Sequence, residues 1–197
     1  MARLNSRPLR SVVYVSFGSM VRVTRGQLLE FWYGLVNSSA SFLWVIQRDM
    51  IKGVKGDAMI LMELEEATKE RGFVVDWAPQ EDVLAHPAVG GFFTHSVWNS
   101  VLERIDAGVP MICWPVFGDH QLNSRWVSER WRNIGLDMKD MCDRSTIEMM
   151  IKTLTKHRRE ESMGSMDQFS KLAHDSVSPS GSSYSNLEKL IEDLKKM

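Results

Sequence analysis

Short apolar runs alternate with amphipathic stretches along most of the chain. The runs at 12–16, 42–46, 73–76, 91–94 and 111–114 are brief, uninterrupted and rich in Val, Ile, Phe or Trp. That is the pattern of parallel strands covered on both faces. Between them the period becomes helical. Thr24-Arg25-Gly26-Gln27 has capping-box spacing, and Leu28, Trp32, Leu35 and Val36 then share one apolar stripe. A second helix is predicted over 61–71, stopped by Gly72, and a short one over 80–85, ended by His86-Pro87. A fourth begins near Val97 and stops at Gly108, with Trp98, Leu102 and Ile105 as its buried face, and a fifth spans 119–133. Such alternation predicts an α/β fold built on a doubly wound parallel sheet.

After Asp140 the pattern is purely helical. A helix over 145–157 would start at a Ser-Thr cap and close on Lys156 and His157, the favourable charge for a helix C-terminus. The Ser-rich stretch 176–185, with Pro179 and Gly181, reads as a loop, and 187–197 as a terminal helix with Leu187, Leu190, Ile191 and Leu194 on one side. At the other end, Arg3, Arg7 and Arg10 before the apolar 11–17 run loosely mimic a signal peptide. That run is too short, is β-branched and lacks a small-residue cleavage site, so a buried strand is the better assignment. The longest stretch free of Lys, Arg, Asp and Glu, 83–102, carries His86, Pro87, His95 and Asn99, which argues against a membrane span.

Composition narrows the function. The 197 residues carry 24 Lys+Arg and 25 Asp+Glu, a formal charge of −1, which excludes a polybasic nucleic-acid or membrane binder. With 44% hydrophobic and 25% charged residues the chain is globular, one large domain or two small ones. Two cysteines, Cys113 in an apolar run and Cys142, are too few for a disulfide framework and predict a reducing, cytoplasmic location.

In a doubly wound sheet ligands bind beyond the C-terminal ends of the strands. Here those positions are 16–19, 77–80, 95–100 and 115–120, all with polar or aromatic groups. The G-x-G-x-x-G and G-x-x-x-x-G-K-S/T phosphate loops are both missing from the sequence, and no His/Cys cluster has metal spacing, so neither a metal nor a prosthetic group is expected. Asn99 and Ser100 fall in the first turn of a helix, where free N–H groups and the dipole favour phosphate. Glu103, four residues after Asn99, could accept hydrogen bonds from paired sugar hydroxyls. Simple helix capping explains Asn99 and Ser100 equally well, with Glu103 a solvated charge.

The 44-residue run 77–120, WAPQEDVLAHPAVGGFFTHSVWNSVLERIDAGVPMICWPVFGDH, resembles without gaps the signature box of plant secondary-product UDP-glycosyltransferases. SVVYVSFGS before it, and NSRWVSERWRNIGLDMKD and SSYSNLEKLIEDL after it, also resemble this family. The resemblance implies the Rossmann-like C-terminal, donor-binding domain of a GT-B, metal-independent, inverting transferase acting on small lipophilic acceptors. On that basis 1–10 is a linker remnant, 11–175 the donor domain, and 176–197 a loop and terminal helix. Trp77 would stack on uracil, the backbone of Ala78 would read its edge, and Gln80 would lie by the nucleoside. Glu103 would hold the ribose hydroxyls. Ser19, His95, Asn99 and Ser100 would hold the diphosphate, and Trp98, Asp119 and His120 would address the sugar. Trp32, Trp44 and Trp114 are expected in the core, and His86, His157 and His174 in structural or surface roles.

Three positions depart from the family pattern. Val97 stands where glycine is usual, a poor exchange if that glycine serves positive φ or close approach to phosphate. Arg104 replaces a small residue and is expected either to face solvent or to draw Glu103 off the ribose. The last box position is His120, often seen in galactose users, where glucose users carry Gln; Gln121 follows it, about 100° further round a helix. Glucose is the expected donor and galactose the alternative. The family's catalytic His, with its orienting Asp, lies in an N-terminal acceptor domain that has no counterpart here, so the isolated chain is expected to bind a UDP-sugar but not transfer it. A degenerate, non-catalytic copy and a scaffold using the inter-domain face are the other readings.

Overall fold

The computed structural model describes residues 2–47, 50, 70–131, 134–139 and 142–197. After one helical turn, α1 (Ala2–Asn5), the chain enters β1 (Val12–Ser16), followed by α2 (Arg25–Ser38), β2 (Ser41–Val45) and β3 (Gly72–Val75). Then come α3 (Gln80–Leu84), β4 (Val89–Thr94), α4 (Trp98–Asp106), β5 (Met111–Cys113), α5 (His120–Arg125) and β6 (Gly135–Asp137). The chain closes with α6 (Arg144–Lys152), α7 (Arg159–Val177) and α8 (Ser182–Lys196). Both α5 and α6 run on into a single π-helical turn, at Trp126–Arg130 and Thr153–His157.

The strands form one parallel sheet in the order β3-β2-β1-β4-β5-β6. Successive side chains of a strand point to opposite faces, so β1 feeds two cores. Val13 and Val15 pack with Phe31, Trp44, Phe93, Trp114 and Ile147 on the face carrying α2 and α6. Val12 and Tyr14 pack with Phe73, Val83, Phe92, Val101 and Met166 on the face carrying α3, α4 and α7. Both faces being covered is what makes the strands read as unbroken apolar runs. Trp32, Trp44 and Trp114 are buried as expected. The capping box of α2 also forms: Gln27 N–H donates to Thr24 Oγ1 (3.2 Å), and Thr24 N–H to Gln27 Oε1 (2.9 Å).

Several elements differ from the sequence expectation. The buried face of α4 is Ser100, Val101, Arg104 and Ile105, while Trp98 and Leu102 are 43% and 46% exposed. Ile105 fits both stripes, and the sheet contact selected the neighbouring one. Helix α6 is capped by Asp143, whose Oδ1 accepts the Thr146 N–H, and not by Ser145. The predicted 176–185 loop shrinks to 178–181, because α7 continues to Val177 and α8 begins at Ser182. The polar composition of α7 hid its extent, and the three-residue strand β6 was too short to register. The leucine stripe of α8 is exposed throughout. The helix expected over 61–71 falls largely outside the described residues, as do the last two positions of the 119–133 helix.

Candidate functional site

Because every strand is parallel, all the C-terminal ends lie along one edge, and the order reverses between β1 and β4. Chains leave those two strands in opposite directions and open a crevice there. The β1 exit supplies Phe17, Gly18 and Ser19; the β4 exit supplies His95, Ser96 and the start of α4. Gly18 has φ +67°, and a Cβ at that position would come within 2.8 Å of His95 Cε1. The glycine is thus needed twice, for its left-handed backbone and for the imidazole beside it. Ser19 is exposed, its carbonyl held by Arg22 Nη1 at 2.6 Å.

Helix α4 begins at the crevice. Its first intrahelical bond runs from Val101 N–H to Val97 O (3.1 Å), so the N–H groups of residues 97–100 have no partner within the helix. Asn99 is exposed there and Ser100 buried. Gln80, at the start of α3, donates from Nε2 to Ser100 Oγ (2.8 Å) and to Glu103 Oε2 (2.5 Å). This fixes the half-buried Glu103 carboxylate beside the exposed Trp77 loop and leaves its other oxygen to accept further hydrogen bonds. Trp77 stands 69% exposed, whereas Ala78 leans on the core.

Across the crevice, His95 and His120 are both buried, with ring centroids 4.8 Å apart. Burial, reinforced by His120 and opposed by Asp119, pulls His95 down to about 4. His120 is lowered too, mainly by burial. Both rings are therefore neutral at pH 7. The Phe117 N–H points at His120 Nδ1 (3.4 Å), which assigns the proton of the neutral ring to Nε2. Cys113 beneath the site is buried and its thiol is pushed up to about 11, chiefly by that burial. A groove of about 560 Å³ lined by Pro115, Gln121, Arg125, Asp137 and Lys139 flanks this cluster without containing it.

The fold thus gathers Gln80, Ser100 and Glu103 into one hydrogen-bonded group, and brings His95 and His120 into ring contact with the Asp119 charge close by. Trp98 joins neither: its ring turns toward Trp131, 6.1 Å away between centroids. The positive-φ expectation for position 97 and both expectations for Arg104 are overturned. Val97 has φ −61° and ψ 145°, ordinary extended backbone, and the left-handed residue is its neighbour Ser96 at φ +68°. Arg104 neither faces solvent nor reaches Glu103. It is fully buried, its Nη1 contacting Val109 O (3.2 Å), Ile134 O (3.3 Å) and Met166 Sδ (2.8 Å). Asn123, which sequence reasoning passed over, is buried and bonded to Ser96 after β4 and to Asp119 after β5. Gly18 lies in the 16–19 exit segment, but only the fold shows what its missing side chain makes room for. His86 and His174 pair at the surface with Asn5 and Asp106. Among the described residues no group of three or more His, Cys, Asp or Glu is arranged to hold a metal, and no helix is long and apolar enough to cross a membrane.

A parallel sheet wound in this order, with helices on both faces, defines a Rossmann-like domain. Residues 2–179 match the family model for UDP-glucoronosyl and UDP-glucosyl transferases. The chain is 59% identical over 194 residues to 7-deoxyloganetic acid glucosyltransferase of Catharanthus roseus, spanning 98% of this chain and 40% of that protein. It is 49% identical over 198 residues to myricetin 3-O-rhamnoside 1,2-glucosyltransferase of Crocosmia x crocosmiiflora, covering 100% and 41%. The fold is similar to that of Os79 from O. sativa in complex with UDP, at TM-score 0.88 and 30% identity over 98% of this chain and 42% of that one. For Glycyrrhiza uralensis UGT73P12 complexed with glycyrrhetinic acid 3-O-monoglucuronide the TM-score is 0.89 at 33% identity, covering 99% and 43%. The chain belongs to the plant UDP-glycosyltransferases and corresponds to the C-terminal, Rossmann-like part of their GT-B fold. It spans about two fifths of the length of these relatives.

Proposed function

We propose that this chain is the donor-binding part of an inverting, metal-independent transferase that moves a hexose from a UDP-sugar, glucose first, to a hydroxyl of a small lipophilic acceptor. The observation that carries this reading is the Gln80–Glu103–Ser100 group set beside the free N-terminus of α4. A carboxylate held by an amide suits a ribose diol, and four N–H groups without an intrahelical partner suit a diphosphate. Trp77, being exposed, offers an indole face to uracil, with the Ala78 backbone at the base edge. Ser19, His95, Asn99 and Ser100 surround the diphosphate. Asp119 and His120 address the sugar, and Trp98 contributes through its backbone, since its ring is engaged elsewhere.

In the reaction the acceptor oxygen bonds to the anomeric carbon as the bond from that carbon to the diphosphate oxygen breaks. The acceptor proton passes to a base supplied from outside this chain, and the charge that grows on the departing UDP falls on the α4 N-terminus. His95, neutral at pH 7, can donate a hydrogen bond there without itself requiring a counter-ion. The Nε2–H of His120 can donate to a sugar hydroxyl. The relatives named as glucosyltransferases favour glucose, with galactose the alternative at His120. Residues 11–175 form the donor unit in this reading, 1–10 a linker segment, and 176–197 a loop and terminal helix; the protein works in the cytoplasm.

Calorimetry with UDP, UDP-glucose and UDP-galactose tests the proposal. Saturable binding that disappears in Trp77→Ala and Glu103→Ala supports it, and purified chain should release no glycoside from any acceptor. A chain that binds none of the three nucleotides is a degenerate or scaffold copy instead, a reading that the valine at the mouth of α4 favours.

A further inference from the structure

We infer that Asn123 is a positioning residue that sets the diphosphate and sugar sides of the donor site against each other; the inference rests on the donor-binding reading above. Asn123 is 6% exposed, on α5. Its Nδ2 donates twice, to Ser96 O on the β4 exit loop (3.0 Å) and to Asp119 Oδ2 on the β5 exit loop (2.7 Å). Both amide protons are thereby used, each on a different loop of the crevice.

Each bond has a directional consequence. Ser96 holds φ +68°, a conformation a serine adopts only when its surroundings impose it. In a trans peptide the carbonyl and the following N–H point in opposite directions. Drawing the Ser96 carbonyl onto Asn123 therefore turns the Val97 N–H away from α5, as the first of the free donors of α4. Asp119 precedes α5 and would ordinarily cap it through its carboxylate, yet it makes no such bond. The carboxylate is held by Asn123 instead, while the residue stays exposed at the crevice. One buried amide thus fixes an N–H donor for phosphate and a carboxylate for a sugar hydroxyl. Its two hydrogen bonds go to Ser96 and Asp119, and to none of Trp77, Gln80 and Glu103.

The test is a titration, by calorimetry and NMR, of wild-type chain, Asn123→Asp and Asn123→Ala with uridine, UDP and UDP-glucose. The isosteric aspartate cannot donate and repels Asp119. Both variants should bind UDP and UDP-glucose roughly tenfold or more weakly, as expected for losing bonds to a charged and a strained group, with uridine affinity within about twofold. General loss of structure would weaken uridine equally, so equal losses overturn the inference, as does unchanged UDP affinity in either variant. Wild-type chain that binds no nucleotide removes the donor site and this role with it; wild-type binding with indifferent variants removes only the role of Asn123. If Asn123→Asp does not fold, Asn123→Ala decides alone, supported by faster amide exchange at residues 96–99 in its ligand-free form.

Discussion

Replacing Arg104 by methionine should stabilise the protein, against the usual direction of core substitutions. The guanidinium is fully buried, and among the described residues it has no ion-pair partner. Its Nε and Nη2 make no hydrogen bond. Two unpartnered buried donors cost roughly 1–3 kcal/mol each, and the unpaired charge adds to that. Against this stand the three Nη1 contacts to Val109, Ile134 and Met166, worth roughly 0.5–1.5 kcal/mol apiece. Methionine keeps the apolar stem and most of the volume, so the net gain is about 2 kcal/mol, or about 4–8 °C in Tm for a domain of this size. Alanine removes the charge but leaves a cavity, and should lose about 2–4 kcal/mol relative to methionine. Burial pulls the guanidinium only to about 10, so it folds as a cation at neutral pH. The gain should therefore be constant from about pH 6 to 9, and fade only where the wild-type side chain could release its proton. Urea unfolding of the three proteins across that range measures it. A methionine variant less stable than wild type would show that the Nη1 contacts outweigh the burial cost.

Other outcomes follow from the same geometry. His95 has a folded pKa of about 4 against about 6.5 unfolded, so the unfolded chain binds the extra proton between these values. Stability from this group is complete above about pH 6.5 and is lost as pH falls toward 4, on the order of 3 kcal/mol in all. His95→Asn should flatten that slope in unfolding free energy measured from pH 4 to 7.5, and an unchanged slope would assign it to other groups. Gly18→Ala should cost about 1–3 kcal/mol in denaturant unfolding and weaken UDP binding, because it strains φ +67° and pushes His95. Wild-type stability in that variant would mean the loop yields freely. Val97→Gly relieves no strain, since φ is −61°. Its expected roughly 3–10-fold tighter UDP binding would come from clearing the α4 mouth alone, and equal affinities would show that the valine side chain obstructs nothing.

The strands and the places where their exit loops fall were legible in the chain because their signals are local. Uninterrupted runs such as Val12–Ser16 record burial on both faces, and the Thr24–Gln27 box is an N-terminus written in four residues. Where two apolar stripes competed, as on α4, local pattern chose Trp98 and Leu102, while packing against the sheet took Val101 and Ile105. The weakly amphipathic α7 and the three-residue β6 owe their form to neighbours far along the chain, and nothing within them announces it.

The near-neutral chain, its strand–helix alternation and the 77–120 run determined a parallel sheet whose exit loops carry polar and aromatic side chains. Tertiary structure alone decided what the neighbours of those residues are. It moved the backbone strain from Val97 to Ser96, sent Arg104 into the core, and set Gly18 under His95. It also joined two exit loops through Asn123, whose partners lie 27 and 4 positions away in sequence. Periodicity records which face of an element is buried, whereas a hydrogen bond between loops depends on how the sheet brings distant strand ends together.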